Sequence, residues 1–269
     1  MKNRPDLPFF ASRKVFLILR GGLGNQLHQI AASVSIAEKH DATVVIFPHI
    51  VDTALDTTRR GYFRDFNLKG IFPSAPIREA TTFESVLIRT LLKIGLRRLK
   101  KFWILEENFF SFKARNFMFV QGWFQSFRHL PSLIEFQAFQ LKRDSRLESI
   151  AIHVRLTDFK NIDPDPLTRN YYEKALRVIA KKRVEIDSYS DDIEGAKIML
   201  LGLGGFSYPE NESFMSPSEL LRRLGSSKSL ICSRSSLCWW AANLVSSQGG
   251  LVISPWKDSA HNPQWISID

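Results

Sequence analysis

Cysteine is nearly absent from this chain, with Cys232 and Cys238 its only two. That excludes a disulfide framework, and the pair lacks the spacing of a structural zinc site. A reducing, cytoplasmic compartment is the expectation. Long apolar runs are missing too: no uncharged stretch approaches the roughly 20 residues that cross a bilayer. The opening stretch MKNRPDLPFFASRKVFLIL, interrupted by Pro5 and Pro8, lacks the continuous apolar region of a signal peptide. A soluble chain, or one peripheral on the inner membrane face, is expected. Nor is there a low-complexity tract or a short-period repeat. Acidic charge is the scarcer sign, with 27 Asp and Glu against 37 Lys and Arg and a net +10. That balance favours an anionic partner, whether nucleotide, nucleic acid or acidic membrane surface, and charge alone does not choose among them.

What is present is a foldable core: 44% of the 269 residues are hydrophobic, enough for two modest α/β domains or one large one. Residues 15–19, VFLIL, stop at Gly21-Gly22 and read as a buried parallel strand feeding a tight turn. Leu27, Ile30, Ala31, Val34 and Ala37 then recur at helical spacing as far as His40, and residues 43–47 give a second strand. Thr82 to Trp103 predicts one helix whose second half, residues 91–103, is basic and amphipathic through Lys93, Arg97, Arg98, Lys100 and Lys101. A second alternation begins with a strand at residues 149–154 and a helix carrying Tyr172, Ala175, Leu176 and Ile179. Strands at 184–190, 229–232 and 251–254 follow. Ser216, Pro217 and Glu219 mark a capped helix start, and another helix is expected from about Ser235 to Val245. Strands alternating with helices twice over predict an α/β fold of two doubly wound domains, residues 1–145 and 146–269, with parallel sheets facing a cleft.

Four segments carry candidate chemistry. Arg20-Gly21-Gly22-Leu23-Gly24-Asn25-Gln26 lies where a strand turns into a helix, so its backbone amides are able to approach a phosphate, although tight strand-to-helix turns often need glycine for packing alone. His153-Val154-Arg155 leaves the C-terminal end of a strand, the edge at which open α/β sheets bind ligands. Arg155 there is suited to a bidentate grip on phosphate oxygens; the alternative is a local ion pair with Asp158, and His153 alone reads as a packed core residue as readily as a base. Ser190-Asp191-Asp192 follows another strand and offers carboxylates to ribose hydroxyls or a guanine edge, or a cap to the next helix. Ser233-Arg234-Ser235-Ser236 opens an apolar helix with Trp239 and Trp240, a phosphate cradle or simply a capped core helix. Asp163-Pro164-Asp165 has the spacing to hold a divalent cation, but its prolines suggest a rigid loop without further ligands.

Taken in order, GGLGNQ (21–26), RRGYFRDFNLKGIF (59–72), FVQGWFQS (119–126), IAIHVRLTDF (150–159), YSDDIEGAK (189–197) and SRSSLCWWAANL (233–244) followed by VISPWK (252–257) resemble the α-1,2-fucosyltransferase family. The likeness spans nearly the whole chain. It implies a GT-B architecture of two Rossmann-like domains, with the acceptor on the N-terminal side. It also implies inverting transfer of fucose from GDP-fucose to a galactoside-type hydroxyl, with no metal or other cofactor. By position it implies that Arg155 holds the donor diphosphate, with Asp191 and Asp192 near the guanosine and Ser235 and Ser236 near the β-phosphate. Gly22, Gly24 and Asn25 would face the same cleft from the N-terminal half, and His153 and Asp158 join the donor-binding set. Two departures stand out. The family commonly carries a second arginine where this chain has Leu156, and an aromatic residue where it has His28.

A one-step displacement of this kind builds charge on the leaving diphosphate, which Arg155 and amides near Ser235 would stabilise. Candidates for the general base are His28, His153 and Asp158. The partners implied are a GDP-sugar and a glycan acceptor, with peripheral contact to anionic membrane through residues 91–103 and no nucleic acid. The rival readings are transfer from another nucleotide sugar, or a basic module binding RNA or anionic membrane without catalysis.

Overall fold

Val15 is fully buried and Phe16 and Leu17 are 1% exposed, as a strand covered on both faces of a parallel sheet requires. The computed structural model describes residues 12–47, 76–93, 100–129, 149–156, 167–179, 186–209, 215–257 and 262–268. The chain divides into two α/β units, residues 1–135 and 136–269. The boundary expected at 145/146, the 59–72 motif, Asp158, Asp163 and Asp165 lie outside the described residues.

In the N-terminal unit, β1 (Arg13–Leu17) leads into α1 (Leu23–His40) and β2 (Ala42–Ile46). Asp41 ends α1 in the left-handed region at φ 47, its N–H donating to the Ala37 carbonyl. Then come β3 (Ile77–Glu79), α2 (Thr82–Lys93), β4 (Trp103–Ile104) and β5 (Phe117–Val120). The sheet order is β3-β2-β1-β5-β4 and every pairing is parallel. Phe16, Val45, Phe47, Ile88, Trp103 and Phe119 pack together on one side of it. Glu84 docks α2: its carboxylate accepts two hydrogen bonds of 2.6 Å from Arg78 and is 3.4 Å from Lys14 Nζ.

The helix expected to run from Thr82 to Trp103 is corrected here. α2 is described as far as Lys93, residues 100–102 form a 3-10 turn, and Trp103–Ile104 is a strand paired with β5. The indole of Trp103 is drawn into the sheet core, where it packs 5.1 Å from the Phe119 ring, so the leucine and lysine periodicity that suggested one continuous helix does not persist. Arg97 and Arg98 lie outside the described residues. Among those described, no helix is long and apolar enough to cross a membrane.

The C-terminal unit repeats the plan with β6 (Ile150–Val154), α3 (Arg169–Ile179), β7 (Ile186–Ser190), α4 (Ile193–Leu200), β8 (Phe206–Ser207), α5 (Pro217–Gly225), β9 (Ser229–Ile231), α6 (Ser236–Ser247), β10 (Leu251–Ser254) and β11 (Ile266–Ser267). Its sheet is parallel in the order β11-β10-β9-β6-β7-β8. Tyr172, Ala175 and Leu176 of α3 bury against Ile152, Ile231 and Ile253. Ser216 caps α5 by accepting from the Glu219 amide, with Pro217 in the first turn. Trp239 and Trp240, each 1% exposed and edge-to-face at 5.3 Å, are core residues.

Candidate active site

Strand order locates the crevice in the C-terminal unit. From β6 the chain winds outward through β7 to β8, then crosses to the other flank of β6 to lay down β9. At such a reversal the helices leave on opposite faces and open a gap beyond the C-terminal strand ends. Arg155 follows β6, Asp191 follows β7, and Cys232 to Ser235 connect β9 to α6. The parallel register therefore brings three of the motifs to one edge.

Asp191 organises that edge. Its Oδ2 lies 3.2 Å from Arg155 Nε, with the two side chains 11% and 18% exposed, and its Oδ1 accepts from the Leu156 amide at 2.8 Å. Arg155 thus has an ion-pair partner in Asp191. Asp192 turns the other way and caps α4 by accepting from the Gly195 amide at 2.9 Å, while Ser190 Oγ bonds its backbone. The two aspartates expected near the guanosine do local work here, one gripping the arginine loop and one capping a helix. Leu156 packs against the core of this unit, and a Cβ placed on Gly195 would come within 2.7 Å of its Cδ1. The residue standing where a second arginine was expected is directed inward.

The N-terminus of α6 has no side-chain cap from Ser235, and its first turn carries no acid. Ser235 and Ser236 are half-buried beside its opening amides. Such an end presents N–H donors and positive potential to an anion. Beneath it lies a buried polar knot. His153, fully buried, has Nδ1 2.7 Å from Ser233 Oγ. Tyr172 donates to the His153 carbonyl at 3.3 Å and Tyr171 to the Cys232 carbonyl at 2.8 Å. Burial pushes both phenols above their ordinary range, so they remain donors. Cys232 and Cys238 are free and buried. His153 belongs to this support and not to a solvent-facing surface.

The N-terminal unit has its own reversal, between β1 and β5. Gly21, at φ 72, lets the chain turn where a Cβ would meet Asn25 Nδ2 at 2.9 Å and Trp123 Cζ3 at 3.0 Å. Gln29 clamps Arg20 by accepting from its N–H and donating to its carbonyl, both at 3.0 Å, and Gln26 donates to the Gly21 carbonyl at 2.8 Å. Gly22 is the N-cap of α1 and Gly24 is buried. Asn25 accepts from Gln125 Nε2 at 2.7 Å, so GGLGNQ and FVQGWFQS meet across the β1–β5 edge. His28 is 1% exposed, and burial, with His129 adding to it, lowers its pKa to about 3. An imidazole so placed stays neutral and is a weak proton acceptor.

Sequence reasoning did not single out Glu106 and Glu107 or the role of Trp123. Glu106 Oε1 accepts from the Trp123 and Phe124 amides at 2.5 and 3.0 Å. Alongside is a cavity of about 410 Å³ lined by Arg20, Leu105, Glu106, Glu107, Gln121, Gly122 and Trp123. The available signal was the FVQGWFQS stretch itself, which the resemblance marked without giving Trp123 a role and whose Gln121-Gly122 follows an apolar run as a strand end does.

No protein-family model matches the chain. It is 24% identical over 304 residues to the Escherichia coli O-antigen biosynthesis glycosyltransferase WbnK, covering 94% of this chain and 100% of that protein. Among solved structures, E. coli heptosyltransferase WaaC with ADP is similar at a TM-score of 0.51 and 10% identity, over 94% of this chain and 92% of that one. Fucosyltransferase NodZ from Bradyrhizobium reaches a TM-score of 0.50 at 16% identity, over 87% and 93%. The fold is that of GT-B-like glycosyltransferases.

Proposed function

We propose that the chain is a glycosyltransferase that moves L-fucose from GDP-fucose to a galactoside-type hydroxyl of a glycan, inverting the anomeric centre without a metal. The similarity to WbnK and the GT-B-like fold support the general activity. The observation that carries the reading is Arg155, held by Asp191 at the strand reversal beside the uncapped α6 N-terminus. In the proposed step the acceptor hydroxyl oxygen attacks the anomeric carbon, the bond from that carbon to the diphosphate oxygen breaks with its electron pair leaving on the diphosphate, and the hydroxyl proton passes to Asp158 or to solvent. Arg155 and the α6 amides meet the charge that develops there. With Leu156 packed inward, one arginine and one helix end share that task.

A second reading is a different nucleotide sugar. It is favoured by Leu156 at the expected second arginine and by the likeness to WaaC, a heptosyltransferase solved with ADP. A panel of GDP-, ADP- and UDP-sugars, incubated with the chain in the presence of a chelator and scored for nucleotide release, separates the two. GDP-fucose is the donor expected to be consumed; exclusive use of an ADP- or UDP-sugar overturns the donor assignment. Arg155→Ala is expected to lower turnover by roughly 100-fold or more with the circular dichroism unchanged, and a fully active variant sinks the clamp.

A further inference from the structure

The residues around the 410 Å³ cavity of the N-terminal unit form a site of their own. Gly122 has φ 158 and Phe124 has φ 53, a conformation a phenylalanine rarely adopts. The loop is held there from several sides. Phe124 is fully buried, with its ring 5.7 Å from that of Phe109 and 5.3 Å from that of His129. Glu106 ties down two consecutive amides and Gln125 is bonded to Asn25. An unusual backbone fixed so thoroughly points to a side chain held in place for use. That side chain is Trp123, which the loop leaves 46% exposed and seated over Gly21.

We infer that this cavity binds carbohydrate, with Trp123 as the platform for one face of a pyranose ring. A sugar presents an apolar C–H face and a rim of hydroxyls that donate and accept. The indole matches the face, while Arg20, Glu106, Glu107 and Gln121 match the rim. The volume suits a single sugar residue with its linkage. Two carboxylates on the wall disfavour a nucleotide diphosphate, so the occupant is a neutral glycan. The cavity's place at the C-terminal strand edge is where an open α/β sheet takes its ligand. Assigning the bound sugar as the acceptor rests on the glycosyltransferase reading; the binding itself does not.

The test is saturation-transfer NMR and titration of the donor-free chain with lactose, a β-galactoside, alongside glucose- and mannose-terminated disaccharides. The wild type is expected to transfer saturation to the ring C–H protons of the terminal sugar. Trp123→Ala is expected to weaken binding about tenfold, and Trp123→Phe to retain part of the affinity. Because Trp123 is half exposed, thermal stabilisation by GDP, which reads the C-terminal unit, should be the same in all three proteins. No transfer to any disaccharide from the wild type, or equal affinity in Trp123→Ala, overturns the inference. Trp123→Leu serves for the comparison if the alanine variant fails to fold. Absence of stabilisation by GDP, with glycan binding intact, counts instead against the GDP-sugar reading.

Discussion

Asp191→Asn isolates the link on which the proposed donor site depends. The asparagine keeps an Oδ1 acceptor for the Leu156 amide, now at 2.8 Å, and replaces the oxygen 3.2 Å from Arg155 Nε by a neutral amide. Two unit charges at that separation attract by about 5 kcal/mol at an effective dielectric of 20. Desolvation of two mostly buried groups consumes much of this, leaving about 1.5 kcal/mol for the charge-assisted bond. If Asp191 serves to aim Arg155 at a diphosphate, that energy is lost when the guanidinium swings away, and GDP binding weakens by about tenfold. The assay is GDP affinity by calorimetry in a double-mutant cycle with Arg155→Ala. Asp191→Asn should cost about tenfold when Arg155 is present and less than about twofold when it is absent, because the aspartate then has nothing to aim. Equal losses in both backgrounds refute the argument and imply that Asp191 contacts the nucleotide itself.

Gly195→Ala should destabilise the chain by about 1–3 kcal/mol despite the better helix propensity of alanine, because the new Cβ would lie 2.6 Å from Asp192 Oδ2 and 2.7 Å from Leu156 Cδ1; an unchanged melting temperature contradicts this. Burial raises the Glu84 carboxyl, but hydrogen bonds from Arg78 and the Thr81 amide outweigh it and hold the pKa at about 2. A carboxyl depressed in the folded state contributes stability above its ordinary pKa that is lost as pH falls. With Arg78 37% exposed, the contribution is discounted to about 2 kcal/mol, so Glu84→Gln should be less stable at pH 7 and the gap should close between about pH 4.5 and 2. A gap independent of pH in urea titrations would count against the pairing. His28 has the same sign of linkage from a different cause, burial of an imidazole and not pairing of a carboxylate. Its folded pKa of about 3 means that below 6.5 the unfolded chain binds a proton the folded chain refuses, so stability falls with acidification. His28→Phe should flatten that acid limb, by up to about 4 kcal/mol at pH 3, and superimposable limbs for the two proteins would show that His28 is not buried as described.

Although β5 (Phe117–Val120) went unread, the inner strands β1, β2, β6 and β10 were legible, because a parallel strand covered on both faces needs an apolar run and each has one, broken in β6 only by His153. The outer strands were not. Ile77–Glu79, Phe206–Ser207 and Ile266–Ser267 are two or three residues long, the first two partly buried and the last exposed, too short to show a period. Trp103 misled in the other direction, since a tryptophan after a run of leucines and lysines extends a helical pattern that the sheet core interrupts. Of the candidate site, the strand-end position of Arg155 and the opening of α6 at Ser235 were readable from local pattern. The pairing of Arg155 with Asp191 was not, because it depends on β6 and β7 being neighbours, which no local signal states. Trp123 carries the same difficulty in sharper form: its exposure depends on the left-handed Phe124 beside it, and nothing in an aromatic side chain announces that backbone.

The two units share one plan. In each, an arginine follows the first strand on the edge where strand order reverses, Arg20 three residues past β1 and Arg155 directly after β6. What surrounds the arginine differs. Arg155 is paired through Nε with Asp191, while Asp192 is turned away to cap α4, and the α6 N-terminus, without a side-chain cap from Ser235 or an acid in its first turn, adds positive potential nearby. Arg20 shares its cavity with Glu106 and Glu107, which offset its charge and add acceptors beside an exposed indole. Leu156 fits the same division. Turned into the core, it supplies no cation to that edge, so under the proposed function the affinity for a donor diphosphate depends on how firmly Asp191 holds the Arg155 guanidinium.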